Sequence, residues 1–195
     1  MRKIFLDCGG YNADSVDAFK KSKWYSPDVI IYSFEPNPRF KETYKKRPDI
    51  NFIGKAVWVK NEEQSFYIAQ IRVERGSSII KGKRGGHLDQ EHPIKVQCLD
   101  FSKWILDNFT KDDFIVLKMD IEGAEYPVLN KMIEDGSIYY IKKAFIAFHS
   151  WLIRIDKKEH MALMKKLEAI KGLELLPEME KYLLQSNKRD NIFVL

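Results

Sequence analysis

Cysteine is scarce: Cys8 and Cys98 are the two in 195 residues. They are too few and too far apart for a disulfide framework or a structural zinc site. They read as reduced core thiols. Long hydrophobic runs are missing too, and none approaches the roughly 20 residues of a membrane span. The apolar stretch Ile4-Phe5-Leu6 follows Met1 so closely that a signal peptide of about 15–30 residues has no room. These absences predict a cytoplasmic chain with no membrane partner. Repeats, low-complexity tracts and an interdomain linker are absent as well. Charge of one sign is weak, 33 basic against 28 acidic residues for a net +5. A dedicated nucleic-acid binder concentrates its excess on one face or arm, so nucleic acid is a disfavoured partner.

What remains is a globular composition, 45% hydrophobic, 31% charged and 13% aromatic, which excludes disorder and coiled coil as the main architecture. A chain of this length buries roughly 70% of its unfolded surface and needs no disulfide to hold a core. Residues 1–195 are expected to form a single domain.

Short strands alternate with helical stretches. Strands are expected at Lys3–Cys8, Val29–Phe34, Asn51–Val57, Gln64–Ala69, Ile94–Leu99, Asp113–Met119 and Ala144–His149. Helices are expected at Asp14–Lys23, Arg39–Arg47, from an Asp100 cap to Phe109, at Ala124–Glu134 and at Lys157–Lys171. Phe114-Ile115-Val116-Leu117 is the most hydrophobic strand and is expected to be central. Strands joined by crossover helices predict a mostly parallel sheet with helices on both faces. Two closing strands, Leu173–Leu176 and Ile192–Leu195, have no helix between them and suggest an antiparallel C-terminal hairpin. The segment from Arg72 to Pro93 has no period and is long for a compact domain, which points to a functional insertion. Its densest basic stretch, Arg72 to Arg84, holds Arg72, Arg75, Lys81, Lys83 and Arg84 against one acid, Glu74. They suit a phosphorylated or acidic glycan-like acceptor as well as nucleic acid.

In an open parallel sheet, ligands bind outside the carboxyl ends of the strands, where strand order reverses. Polar residues recur there in four places: Asp7-Cys8-Gly9-Gly10-Tyr11-Asn12-Ala13-Asp14-Ser15, then Glu35-Pro36-Asn37-Pro38, then Asp120-Ile121-Glu122-Gly123-Ala124-Glu125, and His149-Ser150-Trp151. The first segment lets a ligand lie against backbone. It lacks the G-x-G-x-x-G spacing of a dinucleotide site, and its acids would repel a pyrophosphate. Glu35 is placed to accept hydrogen bonds from two ribose hydroxyls. Together these features point to a nucleoside-type cofactor.

The string Leu117-Lys118-Met119-Asp120-Ile121-Glu122-Gly123-Ala124-Glu125, with the Asp7–Ser15 loop, Phe34-Glu35-Pro36-Asn37-Pro38 and Leu99-Asp100, resembles the FkbM-type methyltransferases. The motifs span most of the chain. The resemblance implies a seven-strand Rossmann-like sheet and S-adenosylmethionine as cofactor. It implies that Asp7, Gly9, Gly10, Tyr11, Asp14 and Ser15 shape the pocket, with Asp7 and Gly9 at the methionine end. Glu35, Pro36 and Asn37 would hold the ribose side, Ala56 and Val57 would lie near the adenine, and Asp120 would face the sulfonium. Ser77 and Ser78 look like the family's serine pair and would close over cofactor or substrate. Ala13 departs from the family's usual glycine. Alanine tolerates that turn if its φ is negative, so weakened rather than lost binding is expected.

Methyl transfer to a hydroxyl needs alignment and a general base. His149 is the first candidate and Asp120 the second. The acceptor side takes Ser77, Ser78, Glu122, His149 and Trp151. No metal is assigned; Asp120, Glu122 and His149 form the set that could share a divalent ion, as a minor reading. Nucleobase methylation fits poorly, because Asp120-Ile121-Glu122-Gly123 is not an Asn/Asp-Pro-Pro-aromatic string and neither cysteine has a proline neighbour. The expected activity is O-methylation of a small or carbohydrate-type acceptor. The alternatives are a nicotinamide-dependent reductase and a catalytically inactive binding subunit. A second copy of the chain is a candidate partner.

Overall fold

The computed structural model describes residues 1–70 and 74–176. Its centre is the pair β1 (Lys3–Cys8) and β7 (Phe114–Met119), hydrogen-bonded in parallel along their whole length. Both are buried on two faces, which is why they read as apolar runs rather than alternating ones. On one side follow β2 (Ile30–Phe34) and β3 (Asn51–Ile53), and on the other β8 (Ile141–Ile146) and β9 (Glu174–Leu175). The order β3-β2-β1-β7-β8-β9 is parallel throughout. Strand order reverses between β1 and β7. Cys8 is level with Phe34 and with Met119 across the sheet, so Gly9, Glu35 and Asp120 all leave the same edge.

Helices cover both faces, as expected. Alternate strand residues Ile4, Leu6, Cys8, Ile115 and Leu117 pack with α3 (Phe101–Asn108), α4 (Glu125–Glu134) and α5 (Lys157–Glu168). Phe5, Ile31 and Val116 pack with α1 (Asp14–Phe19) and with Tyr44 of α2 (Lys41–Lys45) on the other face. Each fully buried side chain of this size contributes roughly 1.5–3 kcal/mol. Local chemistry sets the helix ends. Asp100 and Asp156 accept the N–H groups of Lys103 and Glu159 as side-chain caps, and Gly136 ends α4 at φ +79.

Four expectations are corrected. The central sheet has six strands among the described residues, not seven. The expected strand Asn51–Val57 is two strands: the chain turns at Gly54–Lys55, where the Lys55 N–H reaches Ile53 O at 2.8 Å. β4 (Ala56–Trp58) then joins β5 (Glu63–Phe66) and β6 (Ile94–Asp100) in a separate three-stranded sheet. The Leu173–Leu176 segment pairs in parallel with β8, because α5 acts as a crossover before it. The other half of the expected hairpin, Ile192–Leu195, lies outside the described residues. β8 also ends at Ile146, so His149 follows the strand rather than closing it.

Candidate active site

The turn after β1 is built on a buried carboxylate. Asp7 accepts hydrogen bonds from Ser15 Oγ at 2.7 Å and Ser33 Oγ at 2.8 Å, and Lys118 Nζ lies 3.4 Å away. Ser33 Oγ also meets the Tyr44 hydroxyl at 2.9 Å, and burial pushes that phenol's pKa far up. Asp7 and Ser15 are both buried beneath the turn that follows β1. A Cβ on Gly9, at φ +82, would stand 1.9 Å from the Asp120 carbonyl oxygen, and one on Gly10 would stand 2.1 Å from Ser33 Oγ and 2.3 Å from the Tyr44 hydroxyl. Both glycines are demanded by close approach. Ala13 overturns an expectation. Its φ is +71, a left-handed conformation that costs an L-residue about 1–2 kcal/mol.

Glu35 sits where β2 ends. Its Oε2 accepts the Tyr11 N–H at 2.8 Å and its Oε1 accepts the Asn37 N–H at 2.7 Å. One lone pair on each oxygen remains, the donor-accepting geometry that a vicinal diol requires. Burial pushes the Glu35 pKa up to about 7, against the pull of those two N–H groups and of Lys118. Pro36 is half-buried beside it. Asn37 Nδ2 donates to Glu74 at 2.7 Å, and Arg39 pairs with the same carboxylate. Arg75 bonds Asp14 at 2.9 Å and lies 4.8 Å above the Tyr11 ring. The insertion thus docks on the loops after β1 and β2. Beside that contact, an open cleft of about 400 Å³ is lined by Arg39, Ile68, Ala69, Gln70, Glu74 and Asp89. Ala56 and Val57 lie on β4 with their side chains in the core.

The second half of the site follows β7. The Asp120 N–H donates to Cys8 O, which ties the two central strands together at their ends. Glu122 stands at φ +55. The fully buried Glu125 accepts the N–H groups of Ile121 and Gly123, each at 2.9 Å, and closes the turn before its own helix. The same carboxylate lies 2.9 Å from His149 Nδ1. His149 Nε2 stands 3.7 Å from Asp120 and 3.6 Å from Glu122. Burial alone would lower the His149 pKa. The bond to Glu125 and the charges of Glu122, Glu125 and Asp120 outweigh it and raise the pKa to about 9. Trp151 is exposed two residues beyond.

The serine pair holds the loops together. Ser77 Oγ donates to Glu74 O and accepts from the Ala69 N–H, while Ser78 Oγ donates to Glu122 O and accepts from the Ile80 N–H. Two lysines take buried roles not expected from sequence, where Lys83 is grouped only with the loop's acceptor-facing cations. Lys118 Nζ donates to Gly9 O at 2.7 Å and lies 3.8 Å from Asp120. It stays charged despite burial because Asp7 and Asp120 face it. Lys83 Nζ pairs with Glu122 at 2.8 Å. Among the described residues, Asp120, Glu122 and His149 bring their ligating atoms within 4.8 Å of one another. We assign no ion there, because Lys83 already neutralises Glu122.

A nucleoside cofactor with a cationic sulfonium fits this donor set. Glu35 offers the diol acceptor, and Asp120 offers a carboxylate at the strand-order reversal. A pyrophosphate fits less well, since α1 begins with Asp14 and Asp17 and has no side-chain cap. No curated protein and no solved structure matches the chain. The family model of the methyltransferase FkbM domain matches residues 7–189. A match over nearly the whole chain makes this protein a member of the FkbM-domain methyltransferases.

Proposed function

We propose that the chain transfers a methyl group from S-adenosylmethionine to a hydroxyl oxygen of a small or carbohydrate-type acceptor. The observation that supports this most is the convergence of Asp120, Glu122 and Glu125 on one imidazole at the strand-order reversal. The cofactor, when bound, supplies an electrophilic methyl on a sulfonium. Glu35 would hold its ribose diol, with Tyr11, Asn37 and the Gly9–Gly10 turn fixing the Glu35 rotamer and the pocket wall.

His149 is the proton acceptor in this reading. Glu125 takes the Nδ1 side, which fixes the tautomer that leaves Nε2 as the base and stabilises the imidazolium once formed. A pKa near 9 makes neutral His149 a minority species at neutral pH and a strong base when present. Asp120, beside Nε2, orients the acceptor hydroxyl and is the second candidate base. Trp151 offers an exposed aromatic face on the acceptor side, and the insertion at about 72–93 serves as the lid.

Calorimetric titration with S-adenosylhomocysteine and with NADPH tests the cofactor, on the wild type and on Glu35→Ala. Binding of the first that is lost in Glu35→Ala supports the reading. Binding of NADPH alone would overturn it. Once an acceptor turns over, loss of rate in both His149→Ala and Asp120→Ala tests the catalytic assignment.

A further inference from the structure

We infer that Lys83 is a positioning residue of this site: its buried ammonium holds the Glu122 carboxylate against the His149 imidazole, so that docking of the insertion and the proton on His149 are coupled. The inference rests on reading His149 as the proton acceptor.

A lysine is almost never fully buried unless it is paired. The Lys83 side chain is 2% exposed, and it has two partners. One is Gly76 O at 2.7 Å, within its own loop. The other is Glu122 Oε2 at 2.8 Å. That same oxygen is the one 3.6 Å from His149 Nε2. A single carboxylate oxygen therefore lies between the ammonium and the imidazole. Glu122 is held at both ends from the same loop, since Ser78 Oγ donates to its carbonyl at 2.8 Å. The loop thus supports a residue whose own backbone is in a strained left-handed conformation.

Charge accounting gives the direction. The groups facing the imidazole are Asp120, Glu122 and Glu125. Lys118 stands on the far side of Asp120, and Lys83 stands behind Glu122. With Lys83 in place, Glu122 is shared and attracts the imidazole proton less. With Lys83 withdrawn, the full carboxylate charge acts on His149 and the proton is held more tightly. Docking of the loop therefore favours the neutral imidazole that can take a proton from an acceptor.

The test needs no acceptor. The ring nitrogens of His149 are titrated by NMR in the ligand-free full chain, across the range where a raised imidazole ionises. The samples are wild type, Lys83→Met, Lys83→Arg, Glu122→Gln and the Lys83→Met/Glu122→Gln pair. Lys83→Met should raise the midpoint by about one pH unit, and Lys83→Arg should leave it near wild type. Glu122→Gln, which leaves the lysine in place, should lower it. On the Glu122→Gln background Lys83→Met should move nothing further. An unchanged midpoint in Lys83→Met, or in Glu122→Gln, overturns the inference. So does an equal shift with and without Glu122, which would mean that Lys83 acts only on the loop. S-adenosylhomocysteine binding by the same samples reads the cofactor assignment separately. A Lys83 effect without such binding would leave the coupling standing and remove the methyl-transfer reading.

Discussion

The buried carboxylate of Glu35 makes cofactor affinity a function of pH. Burial raises its pKa to about 7, and the N–H groups of Asn37 and Tyr11 do not fully offset it. A ribose diol would donate to the ionised form, so binding should pull the pKa back toward the ordinary glutamate value. If only the carboxylate binds, about one molecule in eleven is competent at pH 6 and about ten in eleven at pH 8, so affinity should improve about tenfold between them. Near pH 6, binding should release about 0.9 proton, and near pH 8 about 0.1. His149 does not confuse this window, since its pKa is raised to about 9 and it stays protonated throughout. Calorimetry with S-adenosylhomocysteine, in two buffers of different ionisation enthalpy, reads both quantities. Affinity that is flat with pH in the wild type would refute the role given to Glu35. The linkage has a second face. A carboxylate whose folded pKa lies above its unfolded value contributes stability below pH 4.5 and loses it as pH rises through 7. For Glu35 that loss is about 3 kcal/mol in the ligand-free protein. The thermal shift produced by the ligand should therefore grow across the same interval.

Gly10→Ala should lower stability by about 2–4 kcal/mol in chemical denaturation, because its methyl would displace Ser33 and Tyr44 from the Asp7 network; a change below 1 kcal/mol would show that the turn can open without loss. Ala13→Gly sets relief of a left-handed residue, about 1–2 kcal/mol, against a lost buried methyl of about 0.8 kcal/mol and unfolded-chain entropy of about 0.5–1 kcal/mol. The terms nearly cancel, so the midpoint of unfolding should barely move, and a large change of either sign would contradict them. Asp113 is held below the usual carboxylate range by its hydrogen bonds to Arg2 and the Thr110 N–H. Its contribution is present above the unfolded aspartate pKa and lost as pH falls through the folded one, so the destabilisation caused by Asp113→Asn should shrink in acid; a constant difference across pH would exclude the linkage. Turnover with His149 as base should rise with pH toward an apparent pKa near 9, and a rate that falls from neutrality upward would exclude that role.

The parallel core and the polar strand ends were legible because each is a local pattern. Ile115-Val116-Leu117 can only be buried on two faces, and the residues next along the chain must emerge at the sheet's carboxyl edge. The misplaced elements share a cause: the pattern there is the same for two outcomes. Asn51–Val57 reads as one strand because the turn at Gly54–Lys55 interrupts its hydrophobicity by only two residues, yet it moves the chain between sheets. Phe145-Ile146-Ala147-Phe148 stays apolar past the end of β8, so periodicity carries the strand to His149 while hydrogen bonding stops earlier.

The site's two lysines were missed for a different reason. Lysine reads as surface by default, and its burial is decided by partners far away in sequence. Lys83 depends on Glu122, and nothing near residue 83 announces that carboxylate. Lys118 did leave a signal. It lies between Leu117 and Met119 in the most apolar strand, on the face shared with Val116. A lysine there cannot reach water across the sheet and must find anions at the strand's end. The adjoining strand brings Asp7 level with it, and the chain supplies Asp120 two residues on. A charged residue inside a doubly buried strand is therefore an argument for an acid on the neighbouring strand, and here that argument leads from Lys118 to the turn on which the cofactor reading depends.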